Sequence, residues 1–113
     1  MTHYAAPLRD MQFVLRELAG LEQLARLPGC EDASPDTVEA ILDEAARFAG
    51  EVLSPLNRSG DQEGVRLDGD VVTMPTGFGH AYQQFAANGW NGIGCEAEFG
   101  GQGTVSYTHL RFV

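Results

Sequence analysis

The stretch best suited to chemistry is residues 89–103, GWNGIGCEAEFGGQG, in which six of fifteen residues are glycine and one is the chain's single Trp. Glycine accepts positive φ at little steric cost, so such a loop lets backbone approach a ligand or another segment closely. On composition alone, an ordinary flexible loop is the simpler interpretation. A binding role for this loop therefore needs support from elsewhere in the chain.

Part of this loop, residues 92–97 (GIGCEA), formally matches the dinucleotide fingerprint G-x-G-x-x-G/A. That fingerprint binds pyrophosphate only when it follows a parallel strand and opens a helix. Here the end of a predicted helix precedes it, more glycine follows, and no P-loop lysine is present. The sequence therefore predicts neither a dinucleotide site nor a nucleotide-phosphate loop.

The sequence also shows no metal-binding pattern and no disulfide pattern. Cys30 and Cys95 are far apart, neither belongs to a C-x-x-C pair, and no histidine lies at ligand spacing from either. The polar run 57–64 contains acids, but it lacks the alternating ligands and closing Glu of a calcium loop. We predict no metal site, a solvated loop over 57–64, and a reducing intracellular compartment for the two thiols.

The three histidines, His3, His80 and His109, are scattered along the chain. None accompanies a Ser or Cys in a nucleophile setting, so a hydrolase triad is not predicted. His80 falls on a predicted helix, where a surface or partly buried structural role is the simpler interpretation.

Charge and hydropathy exclude several classes of partner. The net charge is −9, from 16 acidic residues against 7 Lys and Arg. Nucleic acids and anionic membranes attract basic patches, so neither is an expected partner. No signal-peptide pattern and no apolar run of membrane-spanning length are visible, which predicts a cytoplasmic protein without a transmembrane segment.

Two amphipathic stretches occupy the first half of the chain. One covers residues 7–19 and resumes over 21–27 after Gly20, with apolar residues every three or four positions. The other begins at Ser-Pro-Asp, residues 34–36, which combines an N-cap, a first-turn proline and an acid near the positive end of the helix dipole. Pro55 is expected to end or kink it. Two such stripes joined by a short linker predict an antiparallel helix pair.

The second half predicts a hairpin and a third helix. Residues 65–73 alternate around Asp68-Gly69, a two-residue turn signal, and the hairpin is expected to pack on the helices. A third helix is predicted from Gly77 to Asn88-Gly89, where glycine takes the left-handed end position. Trp90 is expected to anchor the loop beside the aromatic residues of that helix. The predicted fold class is mainly α: antiparallel helices with a small β-hairpin.

This order of elements, followed by Gly-Trp and Gly-Gly-x-Gly, resembles the N-terminal helical domain of the acyl-CoA dehydrogenase family. Residues 6–15 (APLRDMQFVL) and 53–64 (LSPLNRSGDQEG) look like a bacterial subgroup with an extended N-terminus. That subgroup includes enzymes for 3-methylmercaptopropionyl-CoA and for other acyl-CoAs. Residues 77–103 resemble the family's third helix and the turn after it, through Gly77-Phe78, Ala81-Tyr82, Phe85, Gly89-Trp90 and the run Glu98-Phe99-Gly100-Gly101-Gln102-Gly103. The resemblance covers residues 4–103, in order and at matching spacing.

What the resemblance implies is a flavoenzyme that binds FAD and acyl-CoA. In the family, FAD takes a hydride from the β-carbon of the thioester while a glutamate removes the α-proton. The product is a trans-2-enoyl-CoA, and the electrons pass to an electron-transfer flavoprotein. The resemblance also implies a homo-oligomer when the protein is full length.

No catalytic or cofactor-binding residue is carried over to this chain, because the glutamate and nearly all FAD contacts lie in later domains of the family fold. The acids Asp61, Glu63, Glu96 and Glu98 are therefore not expected to act as the base. The turn that holds Gly-Gly-x-Gly lies near the far end of the family's acyl pocket. By resemblance, the pocket-lining positions are Phe99, Gly100, Gly101 and Gln102.

The end of the chain departs from the family. Residues 1–103 are predicted to form the helical domain, with 1–28 as the subgroup extension. The family continues after Gly103 with Leu-Pro and another helix, whereas residues 104–113 do not, and 105–111 look like translated vector or adapter sequence. We therefore predict a truncated fragment, inactive by itself, with a spurious tail.

The alternative is a stand-alone acidic helical module without catalytic activity, which would dock partners through residues 7–27. A gene that continues past Gly103 favours the dehydrogenase, and a native protein of 113 residues favours the module. The fragment is also expected to expose apolar surface meant for missing domains.

Overall fold

The computed structural model describes residues 3–101, so the predicted tail and Gln102 lie outside the described residues. This part of the chain is mainly helical and contains a two-stranded antiparallel hairpin, which confirms the predicted fold class. Within residues 3–101, no helix has both the length and the apolar character needed to cross a bilayer.

The N-terminal helical stretch is interrupted at a glycine. Helix α1 spans Leu8–Phe13 and continues directly into a π-helical turn over Val14–Leu18. Gly20 has a φ of 68°, in the left-handed region, and α2 follows at Leu21–Leu24. The predicted resumption after Gly20 is confirmed, but α2 ends at Leu24 and turns follow it.

The long helix begins as its sequence predicts. Ser34 is extended, with φ −61° and ψ 151°, and its hydroxyl accepts a hydrogen bond from the Thr37 N–H at 3.2 Å. Helix α3 spans Pro35–Phe48, a π-helical turn spans Ala49–Leu53, and α4 spans Ser54–Glu63, without a break between them. At about 1.5 Å of rise per residue, the continuous helix is about 40 Å long.

The predicted end of this helix is wrong. Pro55 does not stop it, and residues 57–63 are helical instead of forming a polar loop. Pro55 directly follows the π-helical turn, where the regular i→i−4 hydrogen-bond pattern is already interrupted, so the helix continues past the missing N–H. The helix ends at Gly64, whose φ is 70°.

Packing explains why the polar, glycine-containing α4 stays helical. A Cβ built on Gly60 would lie 2.5 Å from Cζ of Phe78, so that ring packs directly on the helix backbone. A Cβ on Gly77 would lie 2.8 Å from Cδ2 of Leu56. Close approach between α4 and the segment that starts the last helix thus outweighs the weak helix propensity of α4.

A polar contact reinforces this junction. The Glu63 carboxylate accepts hydrogen bonds from the Thr76 backbone N–H at 2.9 Å and from the Thr76 hydroxyl at 3.0 Å. The carboxylate therefore ties the last turn of α4 to the turn that precedes the last helix.

Glu63→Ala is expected to lower the free energy of unfolding by about 1 kcal/mol, since both hydrogen bonds go to a charged acceptor but remain exposed. Asp61→Ala, on the same helix, is the matched control and should change it by less than about 0.5 kcal/mol. Urea unfolding followed by circular dichroism measures both. Equal effects of the two variants would show that the Thr76 contact contributes no stability.

The hairpin consists of β1, Arg66–Asp68, and β2, Val71–Thr73, with Asp68 opposite Val71. Its two-residue turn is Gly69-Asp70, one residue later than predicted. Gly69 has a positive φ of 64°, and Asp70 does not have a positive φ. This is the pattern of a turn with glycine in the first central position. Both strands are exposed, so the expected packing of the hairpin on the helices is not seen within residues 3–101.

Helix α5 spans Phe78–Ala87, and Gly89 follows with a φ of 76°, as predicted. The core of the described residues is small, and its buried apolar side chains are Leu21, Ala33, Val38 and Ala81.

Two contacts show how the N-terminal stretch runs along the long helix. Arg16 pairs with Glu39 at 2.6 Å, and Tyr4, which comes before Arg16, lies against Gly50, which comes after Glu39. Contacts that run in opposite directions along the two stretches confirm the predicted antiparallel helix pair.

Candidate functional site

The glycine-rich loop folds back on itself. Short 3-10 turns occupy Trp90–Gly92 and Ala97–Phe99. The stretch 92–97, which matches the dinucleotide fingerprint formally, therefore joins two short turns and does not lead from a strand into a helix. This is not the strand-to-helix context in which that fingerprint binds phosphate.

Two adjacent glycines close the loop for different reasons. Gly100 has a φ of 81°, and its N–H donates to the Ala97 carbonyl at 3.0 Å. The Gly101 N–H donates to the Glu96 carbonyl at 3.1 Å, and a Cβ built on Gly101 would overlap the Cys95 carbonyl. The positive φ accounts for Gly100, and close backbone packing accounts for Gly101.

A cleft of about 470 Å³, here called the loop cleft, lies between α3 and this loop. It is lined by Thr37, Ala40, Ile41, Glu44, Asn88, Gly89, Trp90, Ile93 and Gly100. Of the predicted pocket positions, Gly100 lines the cleft. The next residue, Gly101, is half-buried, and Phe99 is 74% exposed. Gln102 lies outside the described residues, and the assignment of all four to an acyl pocket stays a prediction.

Trp90 is the most distinctive residue of the loop cleft. It lines this cleft together with residues of α3, whereas Phe78, Tyr82 and Phe85 line a different cleft, and the packing of Trp90 beside those rings stays a prediction. The Trp90 Nε1 atom is buried and has no hydrogen-bond partner. Buried N–H groups without an acceptor are rare in folded proteins.

A second cleft, here called the aromatic cleft, was not predicted. It measures about 600 Å³ and lies between the residues before α1, the long helix and α5. Its lining residues are Tyr4, Ala49, Leu53, Ser54, Leu56, Asn57, Phe78, Ala81, Tyr82 and Phe85. The sequence signal for this cleft was the row of apolar residues along α5. Such a row does not reveal which of its residues other segments cover, and Tyr82, one of them, is 66% exposed.

The described residues contain no candidate acid–base or metal centre. Within residues 3–101, no three His, Cys, Asp or Glu side chains are placed to hold a metal ion. The pKa of Glu31 is lowered, because its own backbone N–H and that of a neighbouring glycine stabilise the carboxylate. Glu31 lies in the linker before α3 and lines neither cleft.

His80 is exposed on α5, where its Nε2 lies 3.2 Å from Nε2 of Gln84. No disulfide joins Cys30 and Cys95.

Comparison with known proteins assigns the chain. No family model matches it. It is 39% identical over 100 residues to the 3-methylmercaptopropionyl-CoA dehydrogenase of Ruegeria pomeroyi, a match that covers 88% of this chain. The chain spans 17% of that relative's length. With the helical fold and hairpin that the family resemblance predicted, this identity over most of the chain shows that it belongs to the acyl-CoA dehydrogenase family.

Proposed function

We propose that the protein containing this chain is an FAD-dependent acyl-CoA dehydrogenase that converts an acyl-CoA thioester into a trans-2-enoyl-CoA. The observation that supports this most strongly is the 39% identity, over 88% of the chain, to a relative named 3-methylmercaptopropionyl-CoA dehydrogenase. In the reaction the α-carbon loses a proton to a base and the β-carbon loses a hydride to FAD. Electron-transfer flavoprotein is the proposed electron acceptor.

This chain would supply binding surface and not the reacting groups. In residues 3–101 the formal fingerprint forms no strand-to-helix phosphate cradle for a dinucleotide. Glu44 in the loop cleft is exposed and paired with Arg47 at 3.0 Å, and no described carboxylate lines the aromatic cleft. We therefore place the base and the FAD site in the rest of the protein.

The loop cleft is the proposed contact of this chain with the acyl group. Its volume of about 470 Å³ lies in the range of small-molecule pockets, and Ala40, Ile41 and Ile93 give it apolar walls. We propose Phe99, Gly100, Gly101 and Gln102 as the loop residues around the acyl end. The proposed substrates include 3-methylmercaptopropionyl-CoA, because the relative is named for it.

The alternative function, an interaction module, has one observation in its favour. Phe13, Val14 and Leu18, in the N-terminal helical stretch, are 59%, 47% and 73% exposed. These side chains could dock a partner protein, but they suit packing against the rest of a longer protein equally well. Since the relative is much longer than this chain, we favour packing against the rest of a longer protein. We further propose that the complete protein is a cytoplasmic homo-oligomer.

Turnover by the complete protein tests the proposal. We expect the protein encoded by the whole reading frame around this chain to reduce an electron-accepting dye with acyl-CoA and to release an enoyl-CoA. Straight-chain acyl-CoAs and 3-methylmercaptopropionyl-CoA are the probes. A folded complete protein that oxidises none of them would contradict the proposal and favour the interaction module.

A further inference from the structure

The two faces of the hairpin differ in polarity. Leu67 lies opposite Val72, and side chains alternate between the faces of a strand, so these two residues share one face. Val65 and Met74, two positions away from them along the chain, continue this face. The opposite face carries Arg66, Asp68, Val71 and Thr73. One face of the hairpin, here called the hairpin face and formed by residues 65, 67, 72 and 74, is therefore entirely apolar.

The hairpin face is uncovered in the described part of the chain. All residues from 65 to 74 are exposed there, and none of them lines the loop cleft or the aromatic cleft. A two-stranded hairpin is marginally stable in water unless something packs against it. Four large apolar side chains gathered on one face of such a hairpin indicate an interaction surface.

Both ends of the hairpin are fixed to the helices. Before β1, the Gly64 N–H donates to the Gly60 carbonyl at 2.8 Å. After β2, Pro75 is buried and Thr76 donates to the Glu63 carboxylate. The hairpin therefore extends from the junction of α4 and α5 in a defined direction, which suits docking onto a surface that is itself fixed relative to the helices.

We propose that the hairpin face packs against a part of the same polypeptide that lies outside this chain. The chain spans 17% of the length of its relative, so most of a protein of that length is available to cover the face. A second copy of this segment fits less well, because each copy carries a net charge of −9 and the two would repel. The proposal shares with the proposed function the premise that the complete protein is longer than this chain.

Adjacent valines of β2 provide a matched test in the complete protein. Val72 lies on the hairpin face and Val71 on the opposite face, and each is 59% exposed in residues 3–101. Val72→Asp would place a charge in an apolar contact, so we expect it to lower the thermal unfolding midpoint by at least about 5 °C. Val71→Asp should lower it by less than about 2 °C. Equal shifts in the two variants would overturn the proposal.

Met74 allows a measurement without a variant, which covers the case in which Val72→Asp does not fold. Hydrogen peroxide converts a methionine thioether into a sulfoxide, and the rate follows the exposure of the sulfur. We expect Met74 to be oxidised at least about tenfold more slowly in the native complete protein than in the same protein unfolded in urea. Similar rates would show that the hairpin face is open in the purified protein and would overturn the proposal.

Sedimentation of the complete protein distinguishes a second copy from the same polypeptide. We expect the wild type, Val71→Asp and Val72→Asp to have the same oligomeric state. Dissociation of an oligomer in Val72→Asp alone would identify a second copy as the occupant and overturn the proposal. Failure to oxidise any acyl-CoA would contradict the proposed function only, because neither unfolding nor Met74 oxidation depends on turnover.

Discussion

Replacing Gly60 with alanine is expected to lower the free energy of unfolding of this chain by about 1–2 kcal/mol, although alanine is the better helix former. The new Cβ would lie 2.5 Å from Cζ and 2.6 Å from Cε1 of Phe78, distances that real Cβ atoms essentially never show. The Phe78 ring must therefore move off α4, and the α4–α5 contact weakens. Urea unfolding followed by circular dichroism measures the change.

Gly79 is the matched control, because it is a helical glycine with open space around it. No atom lies within 4 Å of a Cβ built there, so Gly79→Ala should stabilise α5 by about 0.5–1 kcal/mol. In a Phe78→Ala background the obstruction is gone, and Gly60→Ala should then be stabilising too. If Gly60→Ala stabilised the chain with Phe78 present, the close packing of this ring on α4 would be refuted.

The Gly101→Ala variant is expected to open the turn that closes the glycine-rich loop. Its Cβ would overlap the Cys95 carbonyl and lie 2.7 Å from the Gly92 carbonyl oxygen. Both obstructions are backbone, so no side-chain rotation relieves them and the segment between residues 95 and 101 must shift. A shift of about 1 Å in a substrate-positioning segment can cost on the order of 100-fold in rate, so we expect kcat/KM of the complete protein to fall at least tenfold.

Gly92→Ala is the control for Gly101→Ala, since a Cβ on Gly92 meets nothing within 4 Å. Amide hydrogen exchange should become faster over residues 95–101 in Gly101→Ala and stay unchanged in Gly92→Ala. Unaltered exchange in Gly101→Ala, together with unaltered kcat/KM, would argue against the described loop conformation.

Local signals predicted the elements whose ends are set by local chemistry. Ser34 and Pro35 start the long helix through a cap and a first-turn proline, and Gly20 and Gly89 mark breaks through positive φ. The continuation of the helix through Pro55 and Gly60 was not predictable in this way. It depends on the approach of Phe78, a residue distant in sequence, and a local pattern carries no information about such packing.

The candidate site was predictable only in part. The density of glycine between residues 89 and 103 indicated close backbone approach, which the structure shows at Gly101. The cleft that Trp90 lines together with α3 was not indicated, because one aromatic residue after a helix can lie on either side of it. Its buried N–H has no hydrogen-bond partner among the described residues, which only three-dimensional geometry reveals.

The most direct measurement of the proposed flavoenzyme is the visible absorbance of the purified complete protein during anaerobic addition of an acyl-CoA. We expect an oxidised-flavin spectrum that is lost in proportion to the acyl-CoA added, while the 113-residue chain alone is colourless. A complete protein that carries no flavin, or whose flavin stays oxidised with every acyl-CoA tested, would contradict the assignment of this chain to a working acyl-CoA dehydrogenase.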